Sequence, residues 1–197
     1  MASPLPLRIE APRARGASDA DLWLRSIHAD DGDALQDYVR RMSPPSRANR
    51  FFGPLRELPP GELARALAAN ERDRLTLLLV AQGAQRETIV GEARVALSCP
   101  EREGEFGLSL ADDFRGRGLG AVLLGLIEQR VAADGIETLF GDTLRSNDSM
   151  IGLAQACGYR LSPGLEARTV RMTKRLDHVA PDLPCRKWNA AGLSIVS

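Results

Sequence analysis

The chain has 197 residues, of which 44% are hydrophobic and 26% charged, the composition of a globular protein with room for one sizeable core. Its 26 basic and 26 acidic residues balance, which argues against a general binder of nucleic acid or of a membrane surface. Cys99, Cys157 and Cys185 are dispersed without metal-ligand spacing, so we predict no metal site. No signal-peptide pattern and no apolar run of about 20 residues is present, and a cytoplasmic protein is expected.

The first half of the chain predicts an N-terminal arm followed by a strand, two helices and three strands. Residues 1–20 show no clear period and form the expected arm, before a domain that we place at 21–176. Ser43-Pro44-Pro45 is expected to end the first helix. The predicted elements are a strand at Leu22–Ile27, helices at Ala34–Met42 and Pro60–Asn70, and strands at Arg74–Ala81, Thr88–Leu97 and Glu105–Leu110. Gly83-Ala84-Gln85-Arg86 turns the chain between the first two of these strands, which form a hairpin.

The second half alternates strands and helices and closes with a Pro-rich tail at 177–197. Ser146 or Asn147 is expected to cap the second helix of this half. The predicted elements are helices at Gly118–Ala133 and Ser149–Cys157 and strands at Thr138–Leu144, Tyr159–Leu161 and Ala167–Lys174. The order of elements predicts one α+β domain around a mixed sheet.

A glycine-rich turn, Arg115-Gly116-Arg117-Gly118-Leu119-Gly120-Ala121, joins a strand to the most apolar predicted helix. Glycines allow positive φ angles and a close approach of the backbone to a ligand. The start of the helix adds unpaired N–H groups and the positive end of its dipole. This combination favours binding of an anion such as a pyrophosphate, with Arg115 and Arg117 at the rim.

Three interpretations of this turn compete. It is a plain strand–helix connection, a dinucleotide-binding fingerprint, or the pyrophosphate turn of another class of cofactor. Gly116-x-Gly118-x-x-Ala121 does match the fingerprint, but too few strand–helix units follow it for a doubly wound domain. A nucleotide P-loop is excluded because no Gly-Lys-Ser/Thr follows.

Arg115, Gly118 and Gly120 resemble the Gln/Arg-x-x-Gly-x-Gly/Ala turn of the GCN5-related N-acetyltransferase (GNAT) family. The order of elements from Leu22 to Arg175 is similar to that of the family, as is the segment from Asn147 to Gly158-Tyr159. The resemblance implies the GNAT fold, a mostly antiparallel mixed sheet flanked by about four helices, and acetyl-CoA as cosubstrate. The cofactor-binding residues that it implies are Leu108, Ser109, Leu110, Arg115, Gly116, Arg117, Gly118, Leu119, Gly120, Ala121 and Asn147.

Transfer of an acetyl group to an amine needs a base, because a lysine-type ammonium has a pKa near ~10.4. Glu105 begins the predicted cofactor strand and shares a face with Gly107 and Ser109. Glu105-Phe106 resembles the Ala-Glu-Phe start of this strand in bacterial Pat-type protein-lysine acetyltransferases, which implies that Glu105 is the catalytic base. Glu92, on the neighbouring strand, is the alternative.

Two further segments bear on the subgroup. Ala154 stands where many members of the family carry a tyrosine general acid, and the Pat-type domains also lack that tyrosine. The stretch from Met42 to Phe52 resembles the Leu-Ser-x-x-Ser-x-x-x-Arg-Phe-Phe segment of the Pat-type domains, with Arg50 expected to be solvated. Ala48 replaces the usual aromatic residue, so the substrate class stays open.

The sequence therefore predicts an N-acetyltransferase in which the amine attacks acetyl-CoA directly in a ternary complex. The acceptor is a protein lysine or a small-molecule amine, and no nucleic acid or membrane partner is expected. The alternative is a catalytically weak acyl-CoA-binding sensor. Either a monomer or a homodimer fits.

Overall fold

The computed structural model describes residues 21–68, 73–83, 86–98 and 100–176, together with the backbone of 7–10 and 194–196. The turn predicted at Ala84-Gln85, the last residues of the helix predicted to Asn70, and most of the arm and tail lie outside the described residues. None of the helices in the described ranges has the length and apolar character of a membrane span.

Within the described residues nine strands form one sheet, ordered β7-β8-β6-β5-β4-β3-β2-β1-β9. Every neighbouring pair is antiparallel except β5 and β6, which confirms the predicted mixed, mostly antiparallel sheet. The strands are β1 Leu7–Glu10, β2 Leu22–Ser26, β3 Arg74–Gln82, β4 Glu87–Ser98, β5 Glu103–Leu110, β6 Thr138–Leu144, β7 Arg160–Pro163, β8 Thr169–Arg175 and β9 Ser194–Val196. β1 and β9 come from the segments predicted as arm and tail, and they extend the edge beside β2.

In the part of the chain that the structure describes, five α-helices flank the sheet: α1 Gly32–Arg41, α2 Pro44–Phe51, α3 Pro60–Leu67, α4 Leu119–Ala133 and α5 Asp148–Ala156. The sequence did not predict α2, because Ser43-Pro44-Pro45 was expected only to end the preceding helix. Prolines are tolerated in the first turn of a helix, where the missing N–H groups have no intrahelical partner. Ser43 caps α2 by accepting a hydrogen bond from the Ser46 amide at 3.4 Å.

The core has two parts, one on each face of the sheet. The larger cluster packs α4 and α5 against one face of the sheet, with Leu123, Leu124 and Ile127 of α4 fully buried. The smaller cluster packs α1 and α3 against the other face, around Leu35 and Val39.

Alternation along β5 divides its side chains between the two faces. Phe106 belongs to the α4 cluster, and Leu108 and Leu110 pack against it. Ser109 faces the opposite side, where its hydroxyl lies 2.9 Å from that of Tyr38 in α1. Glu105 and Gly107 share that face by the two-residue period.

Truncation of a core side chain in α4 tests whether this helix anchors the sheet. Leu123→Ala removes a side chain that is 0% exposed, and we expect a loss of about 2–5 kcal/mol in the free energy of unfolding. The matched control is Leu165→Ala, which alters a side chain that is 89% exposed and should change stability by less than about 0.5 kcal/mol. Urea titration followed by circular dichroism measures both, and equal effects would contradict this assignment of the core.

Candidate functional site

β5 and β6 separate within the sheet. Their parallel ladder spans only Glu103–Glu105 and Thr138–Phe140, whereas β5 continues to Leu110 and β6 to Leu144. On its other side β5 stays paired with β4 along its whole length. The edge of β5 after Glu105 therefore faces an opening between the two strands, where its backbone groups are available to a ligand.

The glycine-rich turn lies at the end of this edge. Gly116 and Gly118 have φ angles of 71° and 77°, the left-handed region that favours glycine, and they lead directly into α4. The first turn of α4 leaves N–H groups without intrahelical carbonyl partners, and the helix dipole makes this end positive. The turn thus has the geometry of an anion site.

A cleft of about 620 Å³ is bounded by the β5 edge, this turn and α5. Nine of the eleven residues predicted to bind the cofactor line it: Leu108, Ser109, Leu110, Arg115, Gly116, Gly118, Gly120, Ala121 and Asn147. The side chains of the other two point elsewhere. Leu119 is buried in the core, and Arg117 lies over the Phe114 ring at 4.7 Å and donates to the Asp113 carbonyl at 2.6 Å.

A second cavity of about 320 Å³ adjoins the first, and it contains Glu105. Both cavities are lined by Asn49 and Arg50 of α2, Leu108 of β5, and Asn147 and Met150 at α5. The cavities therefore meet above the middle of the β5 edge.

Asn147 is held firmly at this junction. Its side-chain oxygen caps α5 by accepting from the Met150 amide at 3.3 Å, and its Nδ2 donates to Thr143 Oγ1 at 3.0 Å. Of the two predicted caps, the structure uses Asn147. Asn147 therefore fixes the start of α5 against β6 at the wall of both cavities.

Three charged side chains form a cluster beneath the junction. Glu92 of β4 is 0% exposed and lies between Arg50, at 3.3 Å, and Arg94, with which it also forms an ion pair. Arg50 crosses β5 at Gly107, where a Cβ atom would lie 2.8 Å from Arg50 Nη1. Gly107 is therefore needed for this close approach, and Arg50 is a half-buried ion-pair partner instead of the solvated residue that the sequence suggested.

α2 is also tied to the glycine-rich turn. Ser46 Oγ donates to Asp112 Oδ1 at 2.5 Å and accepts from Arg115 Nη2 at 2.8 Å, while the Ser43 amide donates to Asp112 Oδ2 at 3.0 Å. Burial opposes ionisation of Asp112, but the hydrogen bonds from Ser46 and Ser43 outweigh it and hold the pKa of this carboxyl below its usual value.

The contributions of Ser46 and Arg50 to the site were not predicted from the sequence. A spacing of four residues places both on one face of a helix, so the signal was present once α2 is recognised. Tyr38 was also missed. Burial raises the pKa of its phenol, which keeps it neutral beside Ser109.

The site fits the cofactor that the sequence implies. An extended backbone edge suits the amide-bearing arm of coenzyme A, and the amide-rich turn beside Arg115 suits its pyrophosphate. Both features lie along one cleft, which is the arrangement that an elongated cofactor requires.

Comparison with known proteins agrees with this geometry. The sequence model of the Acetyltransferase (GNAT) family matches residues 44–159, more than half of the chain. An acetyltransferase of Pseudomonas aeruginosa is 27% identical over 138 residues, which cover 69% of this chain and 73% of that protein.

Solved structures share the fold. The GNAT domain of S. lividans PAT superposes with a TM-score of 0.71 at 24% identity, covering 79% of this chain and 90% of that one. A spermidine N-acetyltransferase from Vibrio cholerae, in complex with CoA and spermine, has a TM-score of 0.64 at 14% identity and covers 80% of this chain and 97% of that one. Taken with the family match, these likenesses confirm the predicted fold and acetyl-CoA as the cosubstrate. The chain belongs to the GNAT family of acetyltransferases, which transfer an acetyl group from acetyl-CoA to an amine.

Proposed function

We propose that this enzyme transfers the acetyl group directly to a primary amine within a ternary complex, with Glu105 as the general base. The observation that carries the proposal is the meeting of two cavities at Leu108. One contains the glycine-rich turn, and the other contains Glu105. Two substrates held in adjoining cavities react without an intermediate on the protein.

The cofactor supplies an acetyl group activated as a thioester. The backbone of β5 from Leu108 to Leu110 would pair with its pantetheine arm, and the amides from Gly116 to Ala121 would hold its pyrophosphate. Arg115 would add positive charge while remaining anchored to Ser46 and Asp112. We assign the side chain of Arg117 no contact with the cofactor, because it is engaged with Phe114 and Asp113.

Glu105 is better placed to accept a proton than Glu92. Its side chain is exposed to the second cavity, which we propose as the acceptor cavity. Glu92 is fully buried in ion pairs with two guanidinium groups and does not line that cavity. The strand rise places the Cα atoms of Glu105 and Leu108 about 10 Å apart. We therefore propose that the proton reaches Glu105 through a water molecule held in the cavity.

The remaining steps need little further help from side chains. A backbone N–H on the open edge of β5 would donate to the oxyanion that forms as the amine attacks. The leaving thiolate corresponds to a thiol with a pKa of about 8.5, so it departs without a strong acid. Ala154 is fully buried and offers none. Cys157 is buried outside both cavities, which disfavours an acyl-cysteine intermediate.

Gly116→Ala tests the pyrophosphate turn. The variant forces an L-residue into φ 71°, at a cost of roughly 1–2 kcal/mol in stability, and adds a methyl group where the cofactor would lie. We expect acetyl-CoA to bind at least severalfold more weakly, as measured by calorimetry. The matched control is Gly158→Ala, with φ 86° and equally open space but outside both cavities. It should lose similar stability and keep its affinity, and equal weakening would remove Gly116 from the site.

Glu105→Gln tests the base. We expect kcat/KM for the amine to fall by about 10²–10⁴-fold with an unchanged Kd for acetyl-CoA. The defect should shrink as the pH rises towards the pKa of the amine, near ~10.4, because more acceptor is then already neutral. Glu103→Gln is the matched control, two residues away on the same strand but outside both cavities. A Glu105 variant with unchanged rate at every pH would exclude Glu105.

Initial-velocity kinetics tests direct transfer and separates the enzyme from a sensor. Varying acetyl-CoA at several amine concentrations should give intersecting double-reciprocal lines, because both substrates are bound together. Parallel lines would indicate an acyl-enzyme. Binding of acetyl-CoA without release of thiol in the presence of amines, amino acids or lysine peptides would favour the sensor.

A further inference from the structure

The floor of the acceptor cavity carries charges of both signs in a fixed arrangement. The register places Arg74, Ala96 and Glu105 side by side on β3, β4 and β5, and it places Arg94 beside Gly107 in the neighbouring row. Ala96 is small, and Gly107 is covered by the guanidinium of Arg50. All five residues line the cavity.

The charges do not cancel within one cluster of this floor. Arg50 and Arg94 share one carboxylate, that of Glu92. Elsewhere on the wall Glu62 pairs with Arg65 and Asp142 pairs with Arg171, while Glu105 forms no ion pair among the described residues. The cluster of Arg50, Glu92 and Arg94 therefore has two guanidinium groups for one carboxylate.

Arg94 also has unused hydrogen-bonding capacity. Its Nη2 is buried and has no acceptor within the part of the chain that the structure describes. Burial lowers the pKa of this guanidinium, although the charge of Glu92 opposes that effect. A buried donor without an acceptor is costly, and an anionic ligand would satisfy it.

We infer that the acceptor is a small amine that also bears a carboxylate, with the carboxylate bound at Arg94 and the amine directed towards Glu105. The inference rests on the proposed function and adds the chemical class of the acceptor. Arg94 and Glu105 are diagonal neighbours across two strands, with Cβ atoms about 7–8 Å apart or less. An amino acid places its amine and carboxylate within a few bonds of each other, which suits this separation.

The geometry of the guanidinium favours a carboxylate in particular. Its planar fork offers paired N–H donors that match the two oxygens of a carboxylate. A polyamine brings only positive charge and offers no acceptor to the guanidinium of Arg94. A lysine side chain on a polypeptide brings no carboxylate, so it would leave the Nη2 donor of Arg94 without an acceptor.

Matched acceptor pairs test the inference. Free amino acids and their carboxamides would be compared as acceptors, with spermidine and a lysine-containing peptide in parallel. We expect kcat/KM for the best amino acid to exceed that of its carboxamide by about 10- to 100-fold, the range for a hydrogen bond to a charged group. Equal rates for acid and amide, or higher rates for spermidine or the peptide, would overturn the inference and leave the proposed transfer to amines intact.

Arg94→Gln tests whether Arg94 causes the preference for amino acids over their carboxamides. We expect KM for the amino acid to rise about 10-fold or more with a smaller change in kcat, so that acid and amide become equivalent. Arg94→Lys keeps the charge but loses the fork, and it should retain part of the preference. Arg160→Gln, an exposed change on β7 outside both cavities, is the matched control and should keep the full preference.

The outcomes separate the two proposals. Circular dichroism and acetyl-CoA affinity confirm that each variant is folded, and Arg94→Lys replaces Arg94→Gln if the latter is not. An undiminished preference for acids in the Arg94→Gln variant, or in Arg94→Lys where that variant replaces it, would overturn the assignment of the carboxylate site. Binding of acetyl-CoA with no acetylation of any amine would overturn the proposed function itself, and with it the inference.

Discussion

The interruption of the ladder between β5 and β6 is the constraint on which this site depends. A central sheet normally pairs every backbone group, because an unpaired buried group costs free energy. Here pairing stops at Glu105 and Phe140, while β4 continues to hold the other side of β5. β5 is therefore both firmly anchored and open along one edge. A rigid strand with free amides and carbonyls can bind an extended ligand at little cost in the conformational entropy of the strand.

The position of every other part of the site follows from this fork. Glu105 lies where the strands still pair, Leu108 lies where the two cavities meet, and the glycine-rich turn lies beyond the open end. The polarity of the chain fixes this order, because β5 runs from the closed end of the fork towards α4. The proposed base, the proposed thioester site and the proposed pyrophosphate site therefore follow one another in the direction of β5.

α2 joins the two halves of the site. Near its start, Ser46 contacts Asp112 and Arg115 beside the turn, and one helical turn later Arg50 reaches Glu92 beneath the acceptor cavity. One short helix therefore touches both the cofactor side and the acceptor side. Movement of α2 would disturb both at once, so its caps and ion pairs preserve the alignment of the cavities.

The sequence predicted the parts of the fold that have a local signature. β6 and α4 were placed at or within one residue of their observed ends, because their alternation and apolar periodicity are strong. The turn was found because its glycines need positive φ angles. α2 was missed because proline marks both the end of one helix and the first turn of the next, and only tertiary contacts decide between them. The charge cluster was missed because Arg50, Glu92 and Arg94 meet through a helix–sheet contact that no local pattern encodes.

The two glutamates on neighbouring strands show how environment assigns different tasks to one side chain. Glu92 holds two cations from a fully buried position, and removing it would leave both guanidinium groups without their carboxylate in a region of low dielectric constant. Glu92 is engaged by these two ion pairs and does not line the acceptor cavity. Glu105 lies on the same face of the sheet but opens onto the acceptor cavity, and it forms no ion pair among the described residues. The residue that organises the charges is therefore distinct from the residue proposed as the base, and their separation is set by the register between β4 and β5.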